Sequence, residues 1–172
     1  MRIENGLVLF WDGVFSQWHM KDMIIDGITY NCCEQYMMAE KARLFKDEET
    51  LALIMEAKTP RDQKRLGRLV KNFDATVWNK VCEEVVYRAN FAKFNEPAMA
   101  NYLLEFGNVE FVEASPVDLI WGIGLHEDDE LAIDKSKWRG TNWLGEAITR
   151  VRNDILDLQF KSVIETLKAQ GV

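Results

Sequence analysis

The sequence predicts an α+β fold: one mostly helical domain carrying a small β-sheet. Three observations lead there. Short β-branched and aromatic runs are confined to the first thirty residues and to a stretch near 109–114, where strands are expected. Between Cys33 and Gly107 the chain is rich in helix formers and is punctuated by capping residues. The length of 172 residues suffices for one well-buried core and is short for two, so a single domain over 1–172 is expected, with no interdomain linker.

Taken in order, LVLFW (7–11) and MIIDGITY (23–30) read as strands, and Asp26-Gly27 between β-branched residues reads as a tight hairpin turn. The sheet in this part is expected to be small and antiparallel. From Cys33, CEQYMMAEKARLF reads as a helix with Tyr36, Met37, Ala39 and Leu44 as its packing surface. DEETLALIMEA (47–57) places acids in its first turn, PRDQKRLGRLVKNF (60–73) begins with Pro at a first helical position, and DATVWNKVCEEVVYRANFAKF (74–94) is the longest helical candidate. In NEPAMANYLLEFG, Asn95 is the expected cap and Gly107 marks the end. VEFVEA (109–114) alternates as a strand, LHEDDELAIDKSKWRG reads as an acidic surface loop, and Asn142 to Ala169 as one or two helices. Leu156, Phe160, Val163, Ile164 and Leu167 form a helical apolar stripe that core packing would explain.

Composition narrows the function. With 21 Lys and Arg against 28 Asp and Glu, the formal charge is −7, so broad nucleic-acid binding is not expected and any nucleic acid would need a local basic patch. No run approaches the roughly 18 apolar residues of a membrane span, and the N-terminus lacks a signal-cleavage pattern. A cytoplasmic protein without membrane contact is expected. Three cysteines, two of them adjacent, read as buried thiols rather than a disulfide framework. Nucleotide-binding glycine loops, HExxH and spaced Cys/His sets are all missing. HEDDE (126–130) offers oxygens to a divalent cation but has neither the glycine nor the spacing of an EF-hand, and reads as a solvated loop.

Candidate site residues come from several segments. Glu34 and Lys41 are seven apart and share one helix face, on the order of 10 Å apart along the axis. Taken alone, both read as solvated charges, although a first-turn carboxylate such as Glu34 is stabilised by free helix N–H groups. Arg61, Lys64, Arg65, Arg68 and Lys71 form a basic run suited either to phosphate or to a solvated face. Six tryptophans are present, and Trp121, Trp138 and Trp143 cluster in the C-terminal third. Each reads as core, or as a stacking surface for a base.

Together these segments carry a pattern: FSQWH (15–19), DGITYNCCEQYMMAEKA (26–42), LGR (66–68), a helix from Trp78 to Lys93-Phe94, FVEASPVDLIWGIG (111–124) and WRGTNWLGEAITRVR (138–152). In this order and spacing they resemble the NADAR family, also called YbiA-like, over about residues 10–155, with the C-terminal helix running on to 172. The chain departs from the family pattern at Gln17 (usually Asn), Gln35 (often His) and Met38 (often Gln), departures expected to touch substrate contacts.

What the resemblance implies is an N-glycosidase that cleaves the bond between a ribose anomeric carbon and a nitrogen. Two substrate classes come with it: ADP-ribose attached to guanine bases, and early pyrimidine intermediates of riboflavin synthesis. The expected partner is therefore a small nucleotide or an ADP-ribosylated guanine, also as modified DNA, with no cofactor and no metal. Oxocarbenium-like charge on the ribose calls for a nearby carboxylate and a second group for acid-base work. Glu34 is assigned to hold the ribose or activate water, and Asp118 to partner in acid-base work or to position a hydroxyl. Lys41 is assigned to phosphate or a sugar oxygen, a sugar Schiff base being a further chemistry open to it.

For binding, the resemblance implies Arg68 and Arg152 for phosphate, Trp121 for the base or ribose, and Asn142 for hydrogen bonds. Gly122 and Gly124 are assigned to close backbone approach, and Ser16 and Trp138 enter through their motifs. The alternatives are a non-catalytic ADP-ribose or nucleotide-binding module and an interaction protein using the terminal helix.

Overall fold

Two glycine-containing turns start the chain. In the computed structural model, which describes residues 1–170, Asn5-Gly6 and Asp26-Gly27 both take left-handed backbone at two successive positions, as the tightest hairpin turns require. The first joins β1 (Arg2–Glu4) to β2 (Leu7–Phe10), the second β3 (Met23–Ile25) to β4 (Ile28–Tyr30). The expected Asp26-Gly27 hairpin is thus present, and the Asn5-Gly6 hairpin joins it. They belong to two separate sheets rather than one.

Helices follow in the order the sequence predicts. They are α1 (Cys33–Leu44), α2 (Glu48–Glu56), α3 (Pro60–Gly67), α4 (Ala75–Trp78), α5 (Cys82–Phe94) and α6 (Pro97–Leu104). Three boundaries differ from expectation. The 60–73 segment stops at Gly67, where Arg68 and Leu69 N–H groups bond back to Lys64 and Leu66 and Asn72 takes a positive φ of 56°. The 74–94 segment breaks after Trp78, because Lys80 and Val81 bond back only three residues, to Val77 and Trp78. Glu96, not Asn95, caps α6 by accepting from the Ala98 N–H, while the Asn95 N–H closes α5 on Phe91.

After α6 the chain returns as β5 (Glu110–Glu113), which pairs parallel with β2, Leu7 opposite Glu110 and Phe10 opposite Glu113. The central sheet is therefore mixed, in the order β1-β2-β5, and the whole helical middle serves as the crossover that a parallel pair needs. β2 is buried on both faces. Val8 and Phe10 face the main core, and Leu7 and Leu9 face a smaller one with Val112, Ile123 and Leu125. In the main core Phe15 packs against Phe10, Phe94, Tyr102, Phe106 and Phe111, with centroids 4.8–5.9 Å apart. That is the range in which aromatic rings attract one another beyond their burial.

The chain then forms two short 3-10 turns, Glu130–Ile133 and Lys135–Lys137, inside the expected acidic loop, and ends in α7 (Trp143–Ala169), one helix of 27 residues. Leu144, Ile148, Val151 and Ile155 recur every three or four residues and are buried, so this half of α7 closes the core over α5 and β5. The later stripe does not: Leu156, Phe160, Val163 and Leu167 are exposed, and Ile164 is half-buried. The core ends at Ile155, and the expected packing of that stripe is overturned. Gly171 and Val172, included in the C-terminal helix by the sequence reading, lie outside the described residues. Among the described residues no helix is long and apolar enough to cross a membrane.

Candidate active site

Glu34 occupies the first turn of α1 and is only 4% exposed. Its N–H donates to the Gln17 carbonyl, and its Oε2 accepts from Trp18 Nε1 at 3.2 Å. The 16–18 segment is held from behind by α5. The fully buried Lys93 donates Nζ to the Ser16 carbonyl at 3.1 Å, and Asn90 Nδ2 donates to Gln17 Oε1 at 2.9 Å. Burial drives the Lys93 ammonium below its usual range. Ser16 is thus a structural anchor, its hydroxyl accepting the Trp18 N–H.

Opposite lies α3, brought close by Gly67, where a Cβ would collide with the Met38 side chain of α1. Gln63, fully buried, donates to Asn31 Oδ1 and to the Ala57 carbonyl, both at 2.9 Å, and fixes the helix in this place. The next residue, Lys64, is the strongest cationic influence on Glu34, followed by Arg68; its Nζ also lies 5.8 Å from the Trp18 ring centroid. The basic run therefore divides. Lys64 and Arg68 face the site, whereas Lys71 pairs with Glu49 at 2.7 Å and Arg65 with Asp62 at 3.7 Å.

The third wall is the EASPVDLIWGIG segment. Asp118 Oδ1 accepts the N–H groups of Ile120 and Trp121 at 2.9 and 2.8 Å. Its carboxylate therefore shapes the loop as well as charging the site. Glu113, at the end of β5, buries an Oε2 that has no hydrogen-bond partner. Its carboxyl is pushed up to about 8, first by burial and then by the negative charge of Asp118, with Lys64 opposing and Glu34 adding. Burial likewise raises the Glu34 carboxyl, against the opposing Lys64 cation and Trp18 N–H. Lys41 is lowered by burial, with Glu34 opposing and Arg68 reinforcing, and its Nζ sits 4.0 Å from the Phe73 ring centroid.

The structure thus gathers Glu34, Asp118, Lys41 and Arg68 with Lys64 of the basic run and two residues the sequence reading did not select, Trp18 and Glu113. Other expected residues serve the frame. Asn142, fully buried with φ 58°, accepts from Glu113 N–H at 2.9 Å and donates to the Phe111 carbonyl at 3.1 Å, occupying the open edge of β5 in place of a strand. Both ends of its amide are engaged with β5. Gly122 and Gly124 permit loop packing rather than ligand approach: a Cβ at Gly122 would stand 2.8 Å from the Glu113 carbonyl, and one at Gly124 2.6 Å from Leu119 Cδ2.

Trp138 donates Nε1 to the Ala132 carbonyl at 2.9 Å and packs on the smaller core. Trp121 meets Trp143 edge-on at 5.8 Å, and its carbonyl accepts the Leu144 N–H, so this loop caps α7. Arg152 is buried away from the cluster with its guanidinium donating to the Gly107 carbonyl. It borders a depression of about 650 Å³ lined also by Glu110, Thr149, Arg150 and Asn153, in which none of the gathered carboxylates takes part.

The departures from the family pattern lie behind the site. Gln35 spends its amide on Asn31 N–H and on the Ile54 and Met55 carbonyls, Gln17 on Asn90 and the Met37 sulfur, and Met38 fills the space under Gly67. They alter the support of α1, not an open substrate contact. Near HEDDE, Glu127 pairs with the N-terminal amine and His126 Nδ1 accepts from Asp128 N–H. Among the described residues no group of three His, Cys, Asp or Glu is placed to hold a metal ion.

An α+β frame that presents three carboxylates and two cations from α1, the α3 region, and β5 with its following loop, and an indole from the 16–18 segment, defines the class, and sequence comparison gives it a name. The chain belongs to the NADAR domain family, which matches residues 9–156. It is 41% identical to N-glycosidase R617 of Acanthamoeba polyphaga mimivirus over 147 residues, 82% of this chain and 86% of that protein. The NMR structure of Escherichia coli YbiA superposes with a TM-score of 0.75 at 25% identity, covering 92% of this chain and 90% of that one. A maize protein named for riboflavin biosynthesis, the chloroplastic PYRR, is 32% identical over 171 residues, 89% of this chain but only 26% of its own length. Relatives named N-glycosidases are hydrolases of N-glycosyl bonds.

Proposed function

We propose that this protein is an N-glycosidase that hydrolyses an N-ribosyl bond in a phosphate-bearing nucleotide. The observation that carries the reading is the buried Glu34 held by the Trp18 indole N–H, with Lys64 beside that same indole and Arg68 within electrostatic reach. A carboxylate in a partly desolvated site stabilises positive charge developing on the ribose, a contribution of about 3–4 kcal/mol for a preorganised group. Cations on the opposite wall suit phosphate or diphosphate and keep Glu34 able to ionise despite its burial. Glu34 also serves as the base for the attacking water, while Asp118 holds its loop and adds negative charge. Lys41 is left to meet a phosphate or sugar oxygen, and Trp18, 40% exposed, offers an aromatic face to the base.

ADP-ribose on guanine is the favoured substrate class, because a diphosphate between two sugars engages Lys64, Arg68 and Lys41 together. A phosphoribosyl pyrimidine is the second class and draws support from the maize relative's name. The net charge of −7 favours a mononucleotide or a single modified base over extended duplex. The test incubates wild type and Glu34→Ala with an ADP-ribosylated guanine oligonucleotide and, separately, with a pyrimidine ribosylamine phosphate, reading released ADP-ribose or ribose phosphate. Release from one substrate, lost in Glu34→Ala, identifies the class. Binding without release from either makes the protein a nucleotide reader instead.

A further inference from the structure

Protonation of the leaving nitrogen is the one step for which the proposed reaction has named no group. Resting on the N-ribosyl hydrolase reading, we infer that Glu113 is the acid that hands its proton to the departing base while Glu34 takes one from the attacking water.

The two carboxyls stand in contrasting surroundings. Glu34 has partners suited to an anion, the Trp18 N–H and the Lys64 and Arg68 cations. The buried Oε2 of Glu113 has no donor at all, an arrangement costly for a carboxylate and acceptable for a carboxylic acid. Its main chain is locked on both sides, N–H to Asn142 Oδ1 and carbonyl to the Ile123 N–H, which fixes where the side chain starts from at the end of β5. The titratable groups around it are Asp118 on the loop, Lys64 on α3 and Glu34 on α1. Burial first, and then the two like charges outnumbering one cation, hold the proton in place and raise the carboxyl to about 8. Paired carboxyls driven to opposite protonation states are the recurring design of glycosidic hydrolysis.

The step balances without a further reactant. The C1′–N bond breaks with its electron pair going to nitrogen, which takes the Glu113 proton. Water bonds to C1′ and yields a proton to Glu34. That proton then returns to Glu113 through solvent, so one water is consumed and the enzyme is restored.

The test compares wild type with the isosteric Glu113→Gln, checked for an unchanged circular-dichroism spectrum, on whichever N-ribosyl substrate the wild type cleaves. A general acid must hold its proton, so wild-type kcat/KM is expected to fall as pH rises through about 8. Glu113→Gln should be slower by about 10²–10⁴-fold and lack this limb. On the matching riboside of cationic nicotinamide, whose base leaves neutral, the loss should shrink to about tenfold or less. A persistent high-pH limb in Glu113→Gln, or the same loss with both leaving groups, overturns the role of Glu113 and leaves that of Glu34 standing. Absence of release by the wild type from any N-ribosyl substrate overturns both.

Discussion

The indole nitrogen of Trp18 donates to Glu34 Oε2 across 3.2 Å, from a ring that is itself 40% exposed. One side chain therefore orients the carboxylate and offers a free aromatic face beside it. Trp18→Phe keeps the face and removes the donor. We expect kcat to fall about tenfold, the worth of one hydrogen bond to a charged group, with KM nearly unchanged. Trp18→Ala should lower kcat similarly and also raise KM. Steady-state kinetics on the two variants separates the roles, and equal effects on both constants would leave Trp18 a simple packing residue.

Stability should carry the signature of Glu113. Its folded pKa of about 8 lies above the ordinary 4.5, so the native state binds the extra proton. The protonated, stabilised condition is complete below about pH 4.5 and is lost as pH rises through about 8. Glu34 acts in the same direction, and Lys93, lowered by burial, acts in the opposite one at higher pH. The difference in Tm between wild type and Glu113→Gln isolates the first. Glu113→Gln should be the more stable protein at pH 8 and lose that advantage at pH 5, by an amount on the order of a few kcal/mol at most. A difference independent of pH would mean that Glu113 does not change charge over this range.

Gly67 sets how closely α3 approaches α1, since any Cβ there collides with the Met38 side chain. Gly67→Ala should cost about 1–3 kcal/mol in urea unfolding, the usual range for overpacking. It should also lower kcat/KM, because Lys64 and Arg68 ride on the displaced helix. Met38→Ala added to Gly67→Ala should restore much of the stability, as expected for two groups in direct contact.

How much was legible in the sequence follows the reach of each interaction. Glu34 was readable because it lies in a first helical turn, and the two hairpin strands because Asp26-Gly27 is a local turn signal. Glu113 was not, since a Glu at the end of an alternating strand reads as a solvent-side residue. Its burial depends on the later 118–124 loop folding back, Ile123 N–H onto the Glu113 carbonyl. Lys64 was hidden among five similar charges, and only the helix placement set by Gln63 and Gly67 separates it from Lys71. Trp18 carried a weaker cue, its place in FSQWH close before Glu34. Asn142, Gly122 and Gly124 are each required by close packing of the loop on β5 and α7, an event of tertiary structure that spacing does not reveal.

The exposed stripe on α7 allows a plain check of where the core ends. Ile155 is 2% exposed and Phe160 66%, although five residues separate them on one helix. Ile155→Ala should therefore cost about 2–5 kcal/mol, and Phe160→Ser no more than about 0.5. Equal losses in chemical denaturation would place Phe160 in a packed interior.

The two arginines assigned to phosphate should separate in the same way. Arg68 is exposed and within electrostatic reach of Glu34, whereas Arg152 is 4% exposed and bonded to the Gly107 carbonyl. Arg68→Ala removes a cation from the site and little else, so KM for a phosphate-bearing substrate should rise about tenfold with Tm unchanged, as for loss of one charge-assisted contact. Arg152→Ala leaves the Gly107 carbonyl with only the Val109 N–H and empties space beneath α7, at a cost of about 1–3 kcal/mol. Its KM, measured well below the lowered Tm, should stay near the wild-type value. Thermal melts and Michaelis constants on the pair decide the assignment, and a raised KM with intact stability in Arg152→Ala would return that residue to the phosphate site.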